Sequence, residues 1–302
     1  MNLQQNNPTL ESSLKSVDTE EFIDLYFYRP IGYRWALFFN KLGVTPNQIT
    51  IASIFIGVAA GVCFYYTEIW INLLGVFLLI WANSFDSADG QLARMTGQKS
   101  ELGRILDGAC GDFWFGAIYI AIMCRLWPQW GCWILPLALI AGYFHSKQAA
   151  MADYYRNVHL LFLKGKKGSE LDNSYALKEK YRSYKWKDKP LQKFFDRMYL
   201  FYTVGQELWT KNLQRMLSVI NEKYKGNAPE WFCLAYREKS FPLLKYTNML
   251  SFNLRSIVLF GSVLSGFPWV YFVFELTVLN FMLIYMLVKY ERICSVFIEK
   301  IE

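Results

Sequence analysis

Residues 86–112 read DSADGQLARMTGQKSELGRILDGACGD. Asp86, Asp89 and Asp107 fall on or beside segments that otherwise look membrane-embedded. Carboxylates are costly in hydrocarbon, so an intramembrane acid marks a functional site by default. On a helix, Asp86 and Asp89 are three residues apart and share a face; Gly103 and Asp107, four apart, also share one. The segment before Asp89 and the segment after Arg104 read as antiparallel neighbours, which puts both acid sets at one membrane depth. Several hard oxygen ligands at one depth suit a divalent cation, one or two Mg2+ or Mn2+ ions. Gly90, Ala93 and Gly103 are small where a bulky ligand needs close approach, and Arg94 offers a fixed charge suited to phosphate.

The rest of the chain supplies the membrane. Of its 302 residues, 54% are hydrophobic and 18% aromatic, and the apolar residues come in long runs. The runs mark a polytopic membrane protein. Spans are expected at about 48–66, 71–88, 104–126, 132–152, 246–264 and 269–288, the first opened by Thr45 as N-cap with Pro46 at the first helical position. The fold class is therefore all-α: a six-helix transmembrane bundle with a juxtamembrane N-terminal helix and a cytoplasmic helical insert. Residues 1–43 read as an N-terminal cytoplasmic or interfacial segment, mobile over 1–19. The core is 44–152, a basic insert spans 153–245, and 246–302 hold the last two spans and a tail. The N-terminus has no hydrophobic region and does not read as a signal peptide. The six scattered cysteines point to no zinc site and no disulfide framework.

The net charge of +7 is mostly topology. The connections TEIW, PQWG and SGFP carry no Lys or Arg, whereas the 91–103 loop, the insert and the tail carry most of them. Basic loops stay in the cytoplasm, so both termini and the acid cluster are assigned to that side. The charge also attracts anionic headgroups, and no recognition motif accompanies it that would suit nucleic acid. The insert reads as helices capping the bundle, with a membrane-surface platform as the alternative.

The spacing in 86–107 resembles the signature of the CDP-alcohol phosphotransferase (CDP-alcohol phosphatidyltransferase) family, D-x2-D-G-x2-A-R-x8-G-x3-D-x3-D. Asp86, Asp89, Gly90, Ala93, Arg94, Gly103 and Asp107 match it in type and spacing. The resemblance implies a six-helix membrane transferase of phospholipid synthesis, commonly a homodimer, that binds a CDP-linked substrate with a divalent metal. An alcohol attacks the phosphorus bearing the donor's own alcohol, and CMP leaves. By the same resemblance Asp86, Asp89, Asp107 and Asp112 are metal ligands, and Gly90, Ala93, Arg94 and Gly103 line the CDP site. The expected donor is CDP-diacylglycerol and the acceptor a polar alcohol such as inositol or inositol phosphate, at a bacterial inner membrane. The alternatives are a CDP-choline or CDP-ethanolamine enzyme acting on a lipid alcohol and a non-catalytic lipid-binding homologue. A transporter is disfavoured by the lack of an inverted repeat.

One position departs from the signature. The family's last acid, its general base, falls four residues after the third; here that place is Gly111, and the acid is Asp112. A slip of one residue turns a side chain about 100° around a regular helix. A π-bulge across 107–112 would bring Asp112 back under Asp107, and the two glycines favour that reading. The alternative is a misdirected Asp112. Outside the motif, Lys147, Arg255 and His145 are candidate acceptor-binding residues, since basic side chains in spans suit a phosphorylated alcohol. Pairing of Arg255 with Glu275, or snorkelling of Lys147, competes with that role.

Overall fold

The computed structural model describes Leu10 and residues 16–98 and 100–302. The expected mobile segment 1–19 therefore lies mostly outside the described residues. Among them every regular element is helical and none is a strand. The helices fall into two compact units, Met1–Gly142 with Val258–Phe272 and Tyr143–Ile257 with Val273–Glu302.

The first unit is built on α1 (Arg29–Lys41), α2 (Pro46–Cys63), α3 (Ile69–Thr96) and α4 (Glu101–Trp130). Helix α2 starts where expected, at Thr45, whose backbone N–H donates to Gln48 Oε1 at 2.9 Å. It packs on both α3 and α4, and α1 packs on α3. Small residues allow this approach, since helices in lipid associate through close backbone packing. A Cβ on Gly57 would stand 2.1 Å from Trp114 Cδ1, and one on Gly61 2.9 Å from Ala117 Cβ. The Trp114 indole, seated there, donates to Ser53 O at 2.9 Å. Gly32 of α1 meets Ser87 Oγ in the same way, at 2.8 Å. A π-turn, Asp24–Tyr28, precedes α1.

From Tyr143 onward α5 (Ile134–Lys164) belongs to the second unit, where it is followed by α6 (Ser174–Arg182), α7 (Pro190–Leu208), α8 (Lys211–Tyr224) and α9 (Glu230–Ser240). The insert is thus helical. Its α8 and α9 pack on α13 (Asn280–Ile301) around buried Tyr155, Met216, Phe232, Tyr236 and Phe297. Tyr155 stacks on Tyr290 with ring centroids 4.0 Å apart.

Four stretches among the described residues are long and apolar enough to cross a membrane: Pro46–Cys63, Ile69–Thr96, Gly103–Lys164 and Trp269–Ile301. The third is α4 and α5 in succession, joined through Gly131–Trp133. The expected fifth span is not one helix but α10 (Leu244–Met249) and α11 (Phe252–Leu264). Side chains compete with the helix ladder at the break: Ser251 Oγ donates to Thr247 O at 3.1 Å, and Arg255 Nη2 donates to Leu250 O at 2.8 Å. The last stretch carries a second π-turn, Glu275–Leu279, between α12 (Trp269–Phe274) and α13.

Close packing at Gly57 yields a direct test. Gly57→Ala should destabilise the detergent-solubilised chain by about 1–3 kcal/mol through overpacking against Trp114. Gly116→Ala, on α4 with nothing within 4 Å of a built Cβ, should be neutral or stabilising, because alanine is the better helix former. Paired thermal melts decide it; equal behaviour of the two variants would refute the packing argument.

Candidate metal centre

The acids of the motif converge. One carboxylate oxygen from each of Asp86, Asp89 and Asp107 lies within 4.8 Å of the others, with Asp89 buried, Asp86 half-buried and Asp107 exposed. Helix α3 supplies the first two and ends at Gly97, in left-handed conformation at φ +70°. Helix α4 restarts at Ser100, whose hydroxyl accepts from the Gly103 N–H at 2.9 Å. The tight connection brings Asp107 back to the depth of Asp86 and Asp89.

Helix α2 buttresses this cluster with residues that the motif does not contain. Thr50 Oγ1 donates to Asp89 Oδ2 at 2.5 Å. Ser53 Oγ lies 3.2 Å from Cys110 Sγ and 2.7 Å from Thr50 O. Asn47 Nδ2 reaches Ser100 Oγ at 3.3 Å, tying the starts of α2 and α4. A signal for these residues was present: Asn47, Thr50, Ser53, Gly57 and Gly61 recur at helical spacing as the small and polar stripe of an otherwise apolar span. Arg29 also approaches the cluster, donating from Nε to Glu20 Oε2 at 2.8 Å and from Nη1 to Ser87 Oγ at 3.3 Å. Burial works against its charge, but Glu20, with Asp24 and Asp86, more than offsets that and holds its pKa above the ordinary arginine range.

The glycines of the motif have local reasons. The Arg94 guanidinium folds back over Gly90, 3.3 Å from where a Cβ would stand. A Cβ on Gly103 would lie 2.4 Å from Asn47 Oδ1, so Gly103 admits the Asn47 side chain to the start of α4. Ala93 is partly buried on α3, one residue before Arg94.

Asp112 is not one of the converging group. The expected π-bulge is absent: α4 is continuous α-helix through 107–112, and the π-turns lie at Asp24–Tyr28 and Glu275–Leu279 instead. Cys110, Trp114 and Ile118, buried at four-residue spacing, hold this stretch of α4 to its regular period. Five residues of regular helix turn the exposed Asp112 side chain about 140° from that of Asp107.

The cluster fits a divalent cation. Its donors are hard oxygens, and Asp86 Oδ1 is buried without a hydrogen-bond partner, a costly arrangement that a cation would relieve.

With this geometry in place, sequence comparison shows what this stretch is similar to. The sequence model of the CDP-alcohol phosphatidyltransferase family matches residues 43–153, a stretch that contains every acid above. Residues 43–153 are similar to a CDP-alcohol phosphatidyltransferase domain. The domain is similar to an archaetidylinositol phosphate synthase of Pyrococcus horikoshii, 33% identical over 113 residues, covering 37% of this chain and 57% of that protein. It is also similar to a phosphatidylinositol phosphate synthase of Corynebacterium glutamicum, 36% identical over 109 residues, 34% of this chain and 44% of that protein. An uncharacterized protein of Aquifex aeolicus is 42% identical over 77 residues, 25% of this chain and 37% of its own. The chain thus spans about half, or less, of the length of the curated relatives it matches. No solved structure matches.

The candidate acceptor residues lie in the other unit. Arg255 Nη1 donates to both Glu275 oxygens at 2.7 and 2.8 Å and lies 2.6 Å from His145 Nδ1; its Nη2 reaches Gln148 Oε1 at 3.2 Å. With Arg255 1% and Glu275 0% exposed, the guanidinium is engaged within the unit. Arg255 and His145 are members of a buried ion-pair network rather than open ligands. Lys147 is partly buried, its Nζ 5.6 Å from the Tyr143 ring centre.

Two tests follow from this geometry. Thr50→Val should weaken Mn2+ binding by about 10–100-fold, the usual cost of losing a hydrogen-bond donor to a metal-ligating carboxylate. Asp89→Asn should abolish binding, and Asp112→Asn should leave it unchanged. Titration followed by Mn2+ EPR reads all three, and a large loss in Asp112→Asn would place that acid in the centre after all. In the second unit, Glu275→Gln should cost about 3–5 kcal/mol by stranding Arg255. The double change Glu275→Leu, Arg255→Met should melt closer to the parent, an order that fails if the network is not a pair.

Proposed function

We propose that the chain is a membrane phosphotransferase that moves a phosphatidyl group from CDP-diacylglycerol to inositol phosphate and releases CMP. The observation that carries this reading is the convergence of Asp86, Asp89 and Asp107 within 4.8 Å inside the matched domain. The acceptor rests on the relatives whose names specify inositol phosphate products. Asp86, Asp89 and Asp107 would hold Mg2+ or Mn2+. When bound, the cation supplies charge neutralisation for the donor's pyrophosphate, the main requirement of phosphoryl-type transfer.

The chain's own groups do the rest. Thr50 fixes the Asp89 carboxylate through its hydroxyl. Arg94, at the end of α3 and lying over Gly90, offers positive charge to the cytidylyl phosphate. The acceptor hydroxyl attacks the phosphorus that bears diacylglycerol; the bond from that phosphorus to the bridging oxygen breaks, and CMP carries the oxygen away. Asp112 is assigned the hydroxyl proton. It is exposed, and Gly108, one turn before it, has nothing within 4 Å of a built Cβ, so an alcohol has room beside it. The acid cluster, both termini and the insert are assigned to the cytoplasmic face, and the active species to a homodimer.

The test uses the full chain in lipid nanodiscs. CMP release should require CDP-diacylglycerol and inositol phosphate together and should stop on chelation of the metal. Asp112→Asn should lower kcat by about 10²–10⁴-fold, the usual range for a general base, with the metal dependence unchanged. CMP release from CDP-ethanolamine with diacylglycerol, and none from CDP-diacylglycerol, would overturn the assignment.

A further inference from the structure

Helix α7, in the basic insert, is built inside out. Its outward positions Phe194, Met198, Phe201 and Leu208 are 50%, 52%, 65% and 65% exposed. Its inward positions Lys193, Asp196, Thr203 and Gln206 are buried. At about 100° per residue the two sets lie on opposite sides of the helix. A helix on the surface of a water-soluble domain has the reverse arrangement.

Most of the inward polar groups are paired within the unit, Asp196 Oδ2 being an exception. Lys180 Nζ donates to Asp196 Oδ1 at 3.3 Å, and Gln206 Nε2 to Ala150 O at 2.8 Å. Lys193 donates to the Tyr184 carbonyl and lies over the Tyr181 ring, 4.5 Å from its centre. Ser174 N–H donates to Glu207 Oε1 at 2.8 Å. Polar groups turned inward and paired, with apolar groups turned outward, are what a hydrocarbon environment selects. Yet α7 carries Lys193, Asp196, Arg197 and Glu207 and is not among the stretches able to cross a membrane. A helix of this kind lies in the membrane plane.

Charge identifies the lipid. The approach to α7 is Lys185-Trp186-Lys187-Asp188-Lys189, all exposed. Arg197, also exposed, reaches over Phe201, 5.7 Å from the ring centre. A cationic rim beside an apolar stripe complements a bilayer surface carrying anionic headgroups, and Trp186 suits the interfacial zone. We propose that α7 is an in-plane anchor: Phe194, Met198, Phe201 and Leu208 sit at the acyl boundary, and Lys185, Lys187, Lys189 and Arg197 sit on anionic headgroups. The inference does not depend on the transferase reading, and its failure would leave that reading untouched.

The full chain in nanodiscs tests it, with Cys63, Cys124, Cys132 and Cys233 replaced by alanine so that only buried Cys110 and Cys294 remain. A fluorophore on Met198→Cys or Phe201→Cys should be quenched by nitroxide lipids and spared by aqueous iodide; on Lys187→Cys the order should reverse. Lipid quenching at 201 should be stronger in phosphatidylcholine discs containing phosphatidylglycerol than in phosphatidylcholine alone. The Lys185→Gln, Lys187→Gln, Lys189→Gln variant should lose that preference, each lysine contributing about fivefold in affinity. Iodide quenching at 198 and 201 would overturn the anchor. So would shielding from both quenchers, the sign of a protein partner or second copy, or indifference to anionic lipid. A second measurement uses the unsubstituted chain: a lipid with a diazirine in its acyl tail should label the 194–208 segment, and its absence from the adducts would equally reject the proposal.

Discussion

The constraint on which the first unit depends is the cost of carboxylates away from water. Asp86, Asp89 and Asp107 bring oxygens within 4.8 Å of one another, an arrangement that repels itself and loses hydration as well. The protein supplies only part of the compensation, through Thr50 on Asp89 and the charge of Arg29 near Asp86. Asp86 Oδ1 is left without a partner. A cation would relieve this deficit, and small residues in the rest of the unit bring its helices close around the cluster. Gly57 and Gly61 draw α4 onto α2, Gly32 draws α1 onto α3, and Gly103 lets Asn47 tie the start of α2 to that of α4.

Much of this was legible in the residues. Acids spaced three apart before a basic loop, and a glycine four before an acid after it, state both helix faces and their common depth. The Thr45-Pro46 start of α2 follows from capping chemistry. What was not legible depended on packing across the chain. Asp112 read as an acid displaced from its pattern, and the local sequence Gly108-Ala109-Cys110-Gly111 permits a wider turn. The regular burial of Cys110, Trp114 and Ile118 decides against it, because one extra residue would rotate all that follow off the α2 contact. The π-turns occur instead where no glycine invites them. At Glu275, the backbone carbonyl accepts from Gln148 Nε2 at 3.0 Å, a long-range contact that no local pattern discloses.

The same distinction separates the two readings of Arg255. A charged residue in an apolar run signals either a ligand site or a partner, and sequence distance hides the partner. Twenty residues on, Glu275 supplies the opposite charge a buried guanidinium needs, both its oxygens accepting from Arg255 Nη1. The break between α10 and α11 belongs to this network, since the Leu250 carbonyl at the break is one of the acceptors of Arg255. An apparent fifth span thus reads as continuous by hydropathy, while its polar residues cut it in two.

Helix α7 shows why amphipathic periodicity alone does not fix an environment. The alternation of apolar and polar faces in 190–208 is plain from the sequence, but which face turns inward is not. A soluble cap over the bundle would bury Phe194, Met198, Phe201 and Leu208. The structure buries Lys193, Asp196, Thr203 and Gln206 instead, and gives Lys193, Asp196 and Gln206 partners drawn from α5 and α6 and from the turn after α6. Reversing the helix would strand those polar groups as well as bury the stripe, so the orientation is held from the inside. What the outward face meets must therefore accept four large apolar side chains without offering hydrogen bonds, beside a row of lysines that need anions. A bilayer surface provides both within a few ångströms, which a water-exposed face does not.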